Sequence, residues 1–479
     1  MSLQIYNTLT QRKEPFEPLV PGQVRMYACG VTVYDLCHLG HARQALIFDV
    51  IRRYLEYKGY HVTYVRNFTD VDDKIINRAK ELGRRWDEVA KGYIEEYYRD
   101  MDRLGIRRAT IEPKATEHIP EMIGIIKALL EKGYAYQING DVYYEVQRFP
   151  EYGKLSGRKA EQMLAGARIE IDPRKKNPLD FALWKRSKEG EPAWESPWGP
   201  GRPGWHIECS AMSMKYLGES FDIHGGGADL IFPHHENEIA QSESCTGKPF
   251  ARYWIHNGFV SINQEKMSKS LGNFFTIQEV LDRYRPEAVK LFLLSAHYRG
   301  PLDFSDDRLE EAKKALDRFV TAFEAIEALN ALPPRSGGDA LYDHMVSKGR
   351  EAEEQFQAAM DDDFNTAAAL GVLFGFLREV NLVRSEVERN ITAGGRSALH
   401  IARDRINRLG GVLGLFEQPS LRPGEADLKG RLVELLLDLR AQARSKKDWA
   451  TADAIRERLN SLGIEVEDTP QGSRWHWRR

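Results

Sequence analysis

Two short segments carry side chains suited to binding phosphate. The first, His38-Leu39-Gly40-His41, places two imidazoles where an apolar run gives way to a helical pattern. Imidazole N–H groups donate hydrogen bonds to phosphate oxygens, and a helix N-terminus favours negative charge. Gly40 would let a ligand approach the main chain closely. We therefore predict an ATP site here, although these four residues taken alone could equally be a histidine-capped helix start.

The second segment, Lys266-Met267-Ser268-Lys269-Ser270, lies about 225 residues further along the chain. Two ammonium groups three residues apart on a loop could close over a triphosphate and stabilise charge moving onto departing pyrophosphate. The pentapeptide by itself could also be a solvated basic loop. Because both segments occur in this order, each beside a predicted strand, we assign His38, His41, Lys266 and Lys269 to phosphate chemistry.

Four further side chains could hold a metal ion. His234 and Glu238 are spaced i, i+4 and share one face of a predicted helix, while Cys29 and Cys209 could add soft thiolates from strand ends. The same His-x3-Glu spacing is common on solvated helices, so spacing alone leaves both interpretations open. We assign three other residues to packing, the surface or the surroundings of the site: Cys37, His235 and Cys245.

The elements that must position these side chains predict a parallel sheet. Residues 24–29 form an apolar run, residues 42–55 repeat with helical spacing, and residues 61–68 alternate like a strand. Such a βαβ unit implies a parallel sheet whose ligands lie beyond the carboxyl ends of its strands. Strand patterns at 221–224 and 253–260 indicate that the sheet resumes there.

The rest of the chain divides by pattern. Residues 73–203 mix helices, a strand at 141–146 and a stretch rich in Lys, Pro and Trp, whereas residues beyond 304 are almost wholly helical with one buried face. We predict an α/β Rossmann-type catalytic domain and three further domains, with these bounds: 1–72 and 204–304, the inserted α/β segment 73–203, a helical bundle 305–417 and a small C-terminal domain 426–479.

Composition narrows the class of protein. The chain has 479 residues, 42% of them hydrophobic and 29% charged, which excludes collagen, a disordered tail and a membrane protein. Four cysteines are too few for a disulfide framework, residues 1–14 lack the apolar core of a signal peptide, and no stretch reaches roughly 18 apolar residues. We expect a cytoplasmic protein with no membrane partner.

The C-terminal end is basic although the chain as a whole has a net charge of −3. Residues 429–479 hold 11 Lys or Arg and 8 Asp or Glu, and the chain ends in Arg474-Trp475-His476-Trp477-Arg478-Arg479. Interleaved cations and aromatic rings can stack unpaired RNA bases and neutralise their phosphates. An ordinary terminus or a protein interface would show the same composition.

The two phosphate segments resemble the HIGH and KMSKS signatures of class I aminoacyl-tRNA synthetases, with Leu39 in place of the usual isoleucine. Five longer blocks are similar to the bacterial cysteinyl-tRNA synthetase family: residues 173–180, 205–210, 224–227, 232–238 and 360–366. The resemblance spans essentially the whole chain. It implies that the helical bundle contacts the tRNA stem and that the small C-terminal domain binds the anticodon.

The resemblance also implies an activity and a set of ligands. The family activates L-cysteine with Mg²⁺ and ATP to cysteinyl adenylate, then transfers it to the 3′-terminal ribose of tRNA(Cys). We therefore expect one Zn²⁺ per chain on Cys29, Cys209, His234 and Glu238, and we expect a monomer. The implied nucleotide-binding residues are Gly40, His224, Gly226, Gly227, Asp229 and Lys269. Thr69 and Trp205 would contact the amino acid, although Trp205 could equally belong to the core.

A zinc ion would explain how such an enzyme separates cysteine from serine. Zinc stabilises a thiolate and binds it well, whereas a hydroxyl resists ionisation and is a poorer ligand. A pocket without metal could discriminate the two only modestly. Since the insertion looks too short for an editing domain, selection would rest on the metal. Four protein ligands leave no open position, so we expect expansion to five ligands, with Glu238 as the weak one.

Two other functions share parts of this pattern. A ligase that joins cysteine to an amino sugar in mycothiol synthesis resembles the catalytic core but lacks the C-terminal domain. A non-catalytic RNA-binding paralogue would keep the scaffold but would not need the four phosphate-binding side chains. A persulfide-forming side activity of the family depends on lysine motifs, and here Asn77 stands where a second lysine would follow Lys74.

Overall fold

A four-stranded parallel sheet lies at the centre of the first of two units, Met1–Glu417 and Gln418–Arg479, that make up the computed structural model. The structure describes residues 2–158, 172–262, 265–266, 275–417, 425–446, 448–462, 464–469 and 472–477. Lys269 and the insertion residues 159–171 therefore lie outside the described residues.

The elements of the first unit follow in chain order. The N-terminal part contains β1 Gln4–Asn7, β2 Arg12–Pro15, β3 Gln23–Thr32, α1 Leu39–Tyr57, β4 His61–Thr69, α2 Asp73–Leu82 and α3 Trp86–Leu104. The insertion contains α4 Ile119–Glu131, β5 Ala135–Ile138, β6 Asp141–Tyr144, β7 Phe181–Arg186 and β8 Gly201–Pro203. Next come α5 Trp205–Leu217, β9 Phe221–Gly227, α6 Glu236–Thr246, β10 Ala251–Asn257, β11 Val260–Ile262, β12 Glu265–Lys266, α7 Ile277–Leu281, α8 Pro286–Leu294 and β13 Leu302–Phe304. The last four are α9 Asp306–Asn330, α10 Asp339–Asp361, α11 Thr366–Arg389 and α12 Ala393–Val412.

The central sheet has the strand order β10-β9-β3-β4, and every neighbouring pair is parallel. The predicted βαβ unit is confirmed, with β3 extending beyond the predicted 24–29 at both ends. Helix α1 packs on the sheet because Leu46, Val50 and Tyr54, spaced four residues apart, are buried on one face. The turn after β3 therefore presents the His38–His41 segment at the carboxyl end of the sheet, where ligands bind in this kind of fold.

The predicted strand at 253–260 is wrong in one respect, because it is two strands in different sheets. β10 ends at Asn257, and β11 begins at Val260 in a small sheet of order β12-β11-β13. Between them the carbonyls of Gly258 and Phe259 accept hydrogen bonds from the Arg43 side chain. A Cβ at position 258 would lie 2.3 Å from the Gly300 oxygen, so only glycine fits this break.

The insertion carries an antiparallel sheet of order β5-β6-β7-β8, which confirms the predicted α/β character, and the strand predicted at 141–146 is present but ends at Tyr144. The helices α9 to α12 form a bundle, also as predicted.

Helix α11 is the one described helix long and apolar enough to cross a membrane, and 44% of its apolar window is buried against the protein. That burial is what a core helix of a bundle shows.

The second unit contains α13 Glu425–Ser445, α14 Trp449–Ser461 and an antiparallel hairpin of β14 Ile464–Thr469 with β15 Gly472–Trp477. A small core holds it together, formed by Val433, Leu437, Leu459, Ile464 and Val466. The basic C-terminal segment identified in the sequence thus enters a strand over residues 474–477. The four predicted domain boundaries stay predictions.

Asp363 ties the helical bundle to the sheet domain. It follows α10 in the left-handed backbone region, with φ of 61°, and its side chain is fully buried. The carboxylate accepts hydrogen bonds from the Tyr6 main-chain N–H at 2.8 Å, the Tyr298 hydroxyl at 2.8 Å and the Arg299 Nε at 2.7 Å. One carboxylate therefore joins β1, the segment before β13 and the turn between α10 and α11.

We expect Asp363→Asn to lower the free energy of unfolding by about 2–4 kcal/mol, because the amide cannot accept from three donors and leaves the Arg299 charge uncompensated. Asn tolerates the left-handed backbone, so the change tests the carboxylate alone. The measurement is the first transition of urea unfolding followed by circular dichroism. Asp362→Asn is the matched control, since its exposed pair with Lys13 should contribute no more than about 1 kcal/mol. Equal shifts for both variants would contradict the assignment.

Candidate active site and metal centre

Four buried donor atoms meet beside the carboxyl end of the central sheet. Cys29 lies on β3, Cys209 on α5, Glu238 on α6 and His234 in the turn that precedes α6. Their donor atoms all lie within 4.8 Å of one another. Cys29 Sγ is 3.7 Å from Cys209 Sγ and 3.5 Å from Glu238 Oε1, and His234 Nε2 is 3.0 Å from the same oxygen.

These separations match a tetrahedral zinc site. Zn–S bonds of about 2.3 Å and Zn–O bonds of about 2.1 Å separate two sulfurs by about 3.8 Å, and a sulfur and an oxygen by about 3.6 Å. The two distances from Cys29 fall within about 0.1 Å of those values. The His234–Glu238 separation is shorter than the roughly 3.4 Å of bound ligands, as suits a direct hydrogen bond. The residues therefore fit zinc by donor type and by spacing.

Burial sets the charge of this cluster. Burial raises the pKa of the Cys29 thiol well above its ordinary value, and the neighbouring Cys209 raises it further. Burial also raises the pKa of Cys209 and lowers that of His234. The imidazole is therefore neutral, with a lone pair available for a metal. The thiols would ionise only beside a cation, which is the condition that a divalent metal satisfies.

More histidines surround the cluster than the sequence predicted. His224 Nε2 lies 2.8 Å from Glu238 Oε2, and His235 Nε2 lies 3.3 Å from Cys29 Sγ. Together with Cys29 and Glu238 they form a second set of possible metal ligands. The sequence predicts a nucleotide-binding role for His224, and that role stays a prediction. The adjacency of His235 to His234 was the sequence signal for its position in the surroundings of the site.

Of the two possible ligand sets, the one that contains Cys209 and His234 lies next to a cavity. The His234 ring stacks on Trp205 at 4.1 Å, and its Nδ1 lies 2.9 Å from His206 Nδ1. Trp205 and His206 line a cavity of about 830 Å³, and Trp205 is 38% exposed. The cavity therefore adjoins the metal centre through Trp205 and His206, the two lining residues that contact His234. Thr69 is buried, and its hydroxyl donates to Glu208 Oε2 at 2.8 Å, so its predicted contact with the amino acid stays a prediction.

The cavity also has a polar wall from the insertion. Tyr143, Arg174, Lys185 and Arg202 line it together with Asp73, which pairs with Lys185 and Arg202. Carboxylates of the same lining pair with the cations, since Arg174 also pairs with Asp141 and Asp172. The wall therefore combines aromatic rings with paired charges.

The histidines of the first signature do cap helix α1, which was one of the two interpretations of that segment. The Gly40 N–H donates to His38 Nδ1 at 3.0 Å, and the His38 N–H donates to His41 Nδ1 at 3.2 Å. The rings stack with centroids 3.9 Å apart. Because both Nδ1 atoms act as acceptors, the neutral rings carry their protons on Nε2. Capping and phosphate binding are therefore compatible.

The remaining predicted residues lie at the ends of two strands. Gly226 and Gly227 close β9, where a Cβ would lie 2.8 Å from Leu230 Cδ1 or 2.5 Å from Asp229 Oδ1, so either of these side-chain ends would have to shift to admit it. Asp229 lies in the exposed turn that follows. The main chain of Lys266 ends β12, opposite Ser261 of β11. These nucleotide-binding roles stay predictions.

Comparison with known proteins agrees with this architecture. Residues 15–314 match the family model described as tRNA synthetases class I (C) catalytic domain, residues 355–417 match the DALR domain, and residues 431–478 match the Cysteinyl-tRNA ligase anticodon binding domain. An amino-sugar ligase has no such C-terminal domain and would not show the last of these matches. Among solved structures, methionyl-tRNA synthetase of Mycobacterium tuberculosis with methionyl-adenylate shares the fold, with a TM-score of 0.60, 15% identity, and coverage of 87% of this chain and 94% of that chain.

Full-length relatives narrow the family. Cysteine–tRNA ligase of Thermodesulfovibrio yellowstonii is 54% identical, and that of Carboxydothermus hydrogenoformans is 55% identical, each over 99% of both chains. The chain therefore belongs to the bacterial-type cysteine–tRNA ligases, a family of class I aminoacyl-tRNA synthetases.

Proposed function

We propose that this cysteine–tRNA ligase selects L-cysteine by binding its thiolate at a zinc ion held by Cys29, Cys209, His234 and Glu238. The observation that carries the proposal is the convergence of these four buried donors within 4.8 Å beside an open cavity. Zinc there would act as a soft Lewis acid that stabilises an ionised thiol and gives a hydroxyl no comparable interaction. Serine would then be rejected when it binds, without an editing step.

Glu238 is the ligand best placed to yield to a substrate sulfur. Its Oε2 is 2.8 Å from His224 Nε2, while only Oε1 faces Cys29 and His234. A carboxylate that shares its charge with an imidazole donor is a weaker metal ligand than one that does not. His206 supports His234 from the other side, through the contact between their Nδ1 atoms, and so keeps Nε2 directed at the centre.

The activation step needs charge stabilisation more than a protein nucleophile. The cysteine carboxylate attacks the α-phosphorus of ATP, and pyrophosphate leaves. His38 and His41, with their protons on Nε2, would donate hydrogen bonds to phosphate oxygens, and Lys266 and Lys269 would neutralise the leaving group together with Mg²⁺. No covalent intermediate with the enzyme is required.

The transfer step places tRNA(Cys) against both units. The unpaired 3′ end would enter the cavity between the insertion and Trp205, where Tyr143 and Arg174 can contact bases and phosphates. The terminal ribose hydroxyl then attacks the carbonyl of cysteinyl adenylate, the new ester bond forms, and AMP leaves as the bond from the carbonyl to phosphate oxygen breaks. Residues 426–479 would bind the anticodon, and the helical bundle of residues 305–417 would contact the stem.

We expect Cys209→Ser to lose most of the zinc that the wild-type protein retains at about one ion per chain, because serine is a poor ligand and one thiolate is gone. The measurement is metal content of the dialysed protein by plasma mass spectrometry, with folding checked by circular dichroism. Cys245→Ser is the matched control, since Cys245 lies outside both ligand sets. Full zinc retention in Cys209→Ser would favour the second set, with His224 and His235.

We expect cysteine to add one sulfur to the metal's ligands and serine to add none. X-ray absorption at the zinc edge should then count two sulfur ligands in the free protein and three with cysteine bound. A spectrum with cysteine that matches the free protein would contradict thiolate coordination, even if the enzyme remained selective by another route.

Removal of residues 426–479 should leave cysteine-dependent exchange of pyrophosphate into ATP largely intact and should weaken the charging of tRNA(Cys). The reason is that the donors of the metal centre and the first signature all lie within Met1–Glu417. The measurement is the ratio of kcat/KM for exchange to kcat/KM for charging. Equal loss of both activities in a folded protein would contradict the division of labour between the units.

A further inference from the structure

Arg43 is a buried cation whose partners are main-chain carbonyls. It lies on α1, one turn beyond His38–His41, and is 0% exposed. Its Nη1 donates to the carbonyls of Gly258 at 2.9 Å and Phe259 at 2.8 Å. Its Nη2 donates to Gly300 at 2.7 Å and, in longer contacts, to the carbonyls of His297 and Tyr298.

A cation is usually buried against a carboxylate, but Arg43 forms no ion pair within the described part of the chain. Burial lowers its pKa to about 10, so it stays charged at neutral pH. A buried charge costs free energy unless hydrogen bonds compensate it, and here five carbonyl contacts to Nη1 and Nη2 do so, while Nε has no partner among the described residues. A planar guanidinium can donate to carbonyls on two separate segments, whereas the compact ammonium group of lysine cannot reach both.

The two segments that Arg43 joins form the base of the second signature. Gly258 and Phe259 lead directly into β11, which pairs with β12 and hence with the main chain of Lys266. Residues 297–300 lead into β13, which pairs with β11 on its other side. Arg43 therefore connects the helix of the first signature to the sheet that carries Lys266.

The far end of the same segment is also attached to the start of α1. The Leu39 N–H donates to the Phe275 carbonyl at 3.3 Å, and the Ile277 N–H donates to the Cys37 carbonyl at 3.0 Å. Residues 260–274, with the lysine signature, are thus bounded by two attachments to one helix start. The Arg43 attachment is made by a side chain, and it can be changed by mutation.

We propose that Arg43 is a positioning residue for amino-acid activation, which holds strands β11 and β12, and with them the main chain of Lys266, in register with His38 and His41. The proposal rests on the phosphate roles given above to the two signatures. Arg43 itself touches no reacting atom. Its effect should therefore appear in the rate of activation and not in the binding of cysteine at the metal centre.

Arg53 provides a matched control on the same helix. It is also buried, and its guanidinium donates to Asp49 Oδ2 at 2.8 Å, to Glu417 Oε2 at 3.0 Å and to the Gly411 carbonyl. These partners hold the end of the bundle against α1 and have no part in either signature. Arg53→Lys should therefore cost stability without changing activation by folded molecules.

The test compares Arg43→Lys with Arg53→Lys in the full-length, zinc-loaded protein. Active sites are counted by the burst of cysteinyl adenylate, and kcat and KM are measured for cysteine-dependent pyrophosphate exchange. We expect Arg43→Lys to lower kcat per active site by roughly 100-fold, the effect of a misplacement near 1 Å, with KM for cysteine unchanged. Arg53→Lys should keep the wild-type kcat per active site even where its melting temperature falls.

A wild-type kcat per active site in a folded Arg43→Lys protein would overturn the proposal, and so would a parallel loss in both variants. Arg43→Ala supplies a second measurement, which can be made even if the lysine variant folds poorly. Guanidinium at millimolar, non-denaturing concentration should bind in the vacated space and raise its kcat, and no rise in a folded Arg43→Ala protein would count against positioning. If the wild-type protein itself showed no pyrophosphate exchange, that result would instead contradict the phosphate roles of the two signatures.

Discussion

The burial of Glu238 beside two thiols and several imidazoles is the constraint on which this active site depends. A carboxylate with no exposed surface is costly unless opposite charge or hydrogen bonds compensate it. Burial lowers the pKa of the His234 and His235 imidazoles and raises the pKa of the Cys29 and Cys209 thiols, so these four groups favour their neutral forms. A divalent cation resolves both problems at once, because it neutralises the carboxylate and stabilises the thiolates. In the proposed function, selectivity for sulfur would come from the same ion that stabilises the cluster.

The parallel sheet makes this arrangement possible. β3 and β9 run side by side, with Tyr27 opposite His224, so residues near their carboxyl ends reach one edge of the sheet. The helices α5 and α6 bring Cys209 and Glu238 to that edge from regions of the chain about 180 and 210 residues beyond Cys29. The first signature begins on the same edge, after β3. The candidate metal centre and the first signature therefore share one edge of the sheet.

A second arrangement of buried polar groups connects this face to the rest of the unit. Arg43 holds the carbonyls of residues 297–300 from one side, and the Asp363 carboxylate holds Tyr298 and Arg299 from the other. One short segment is thus held both by helix α1 and by the turn between α10 and α11. Charged side chains are used at both points because each must satisfy several partners at once, which neutral groups do less strongly.

The sequence by itself determined much of the fold and the chemistry. Period-2 and period-3.6 patterns predicted the βαβ unit and the helical bundle, and the signature segments indicated the activity. Tertiary structure alone decided that Cys29 and Cys209 meet at 3.7 Å, that His224 and His235 join the centre, and that the run 253–260 breaks at Gly258. The physical reason is that local patterns report which face of an element is buried, whereas these features depend on contacts between distant segments. The partners of Arg43 are main-chain carbonyls, which every residue carries, so no sequence pattern could identify them.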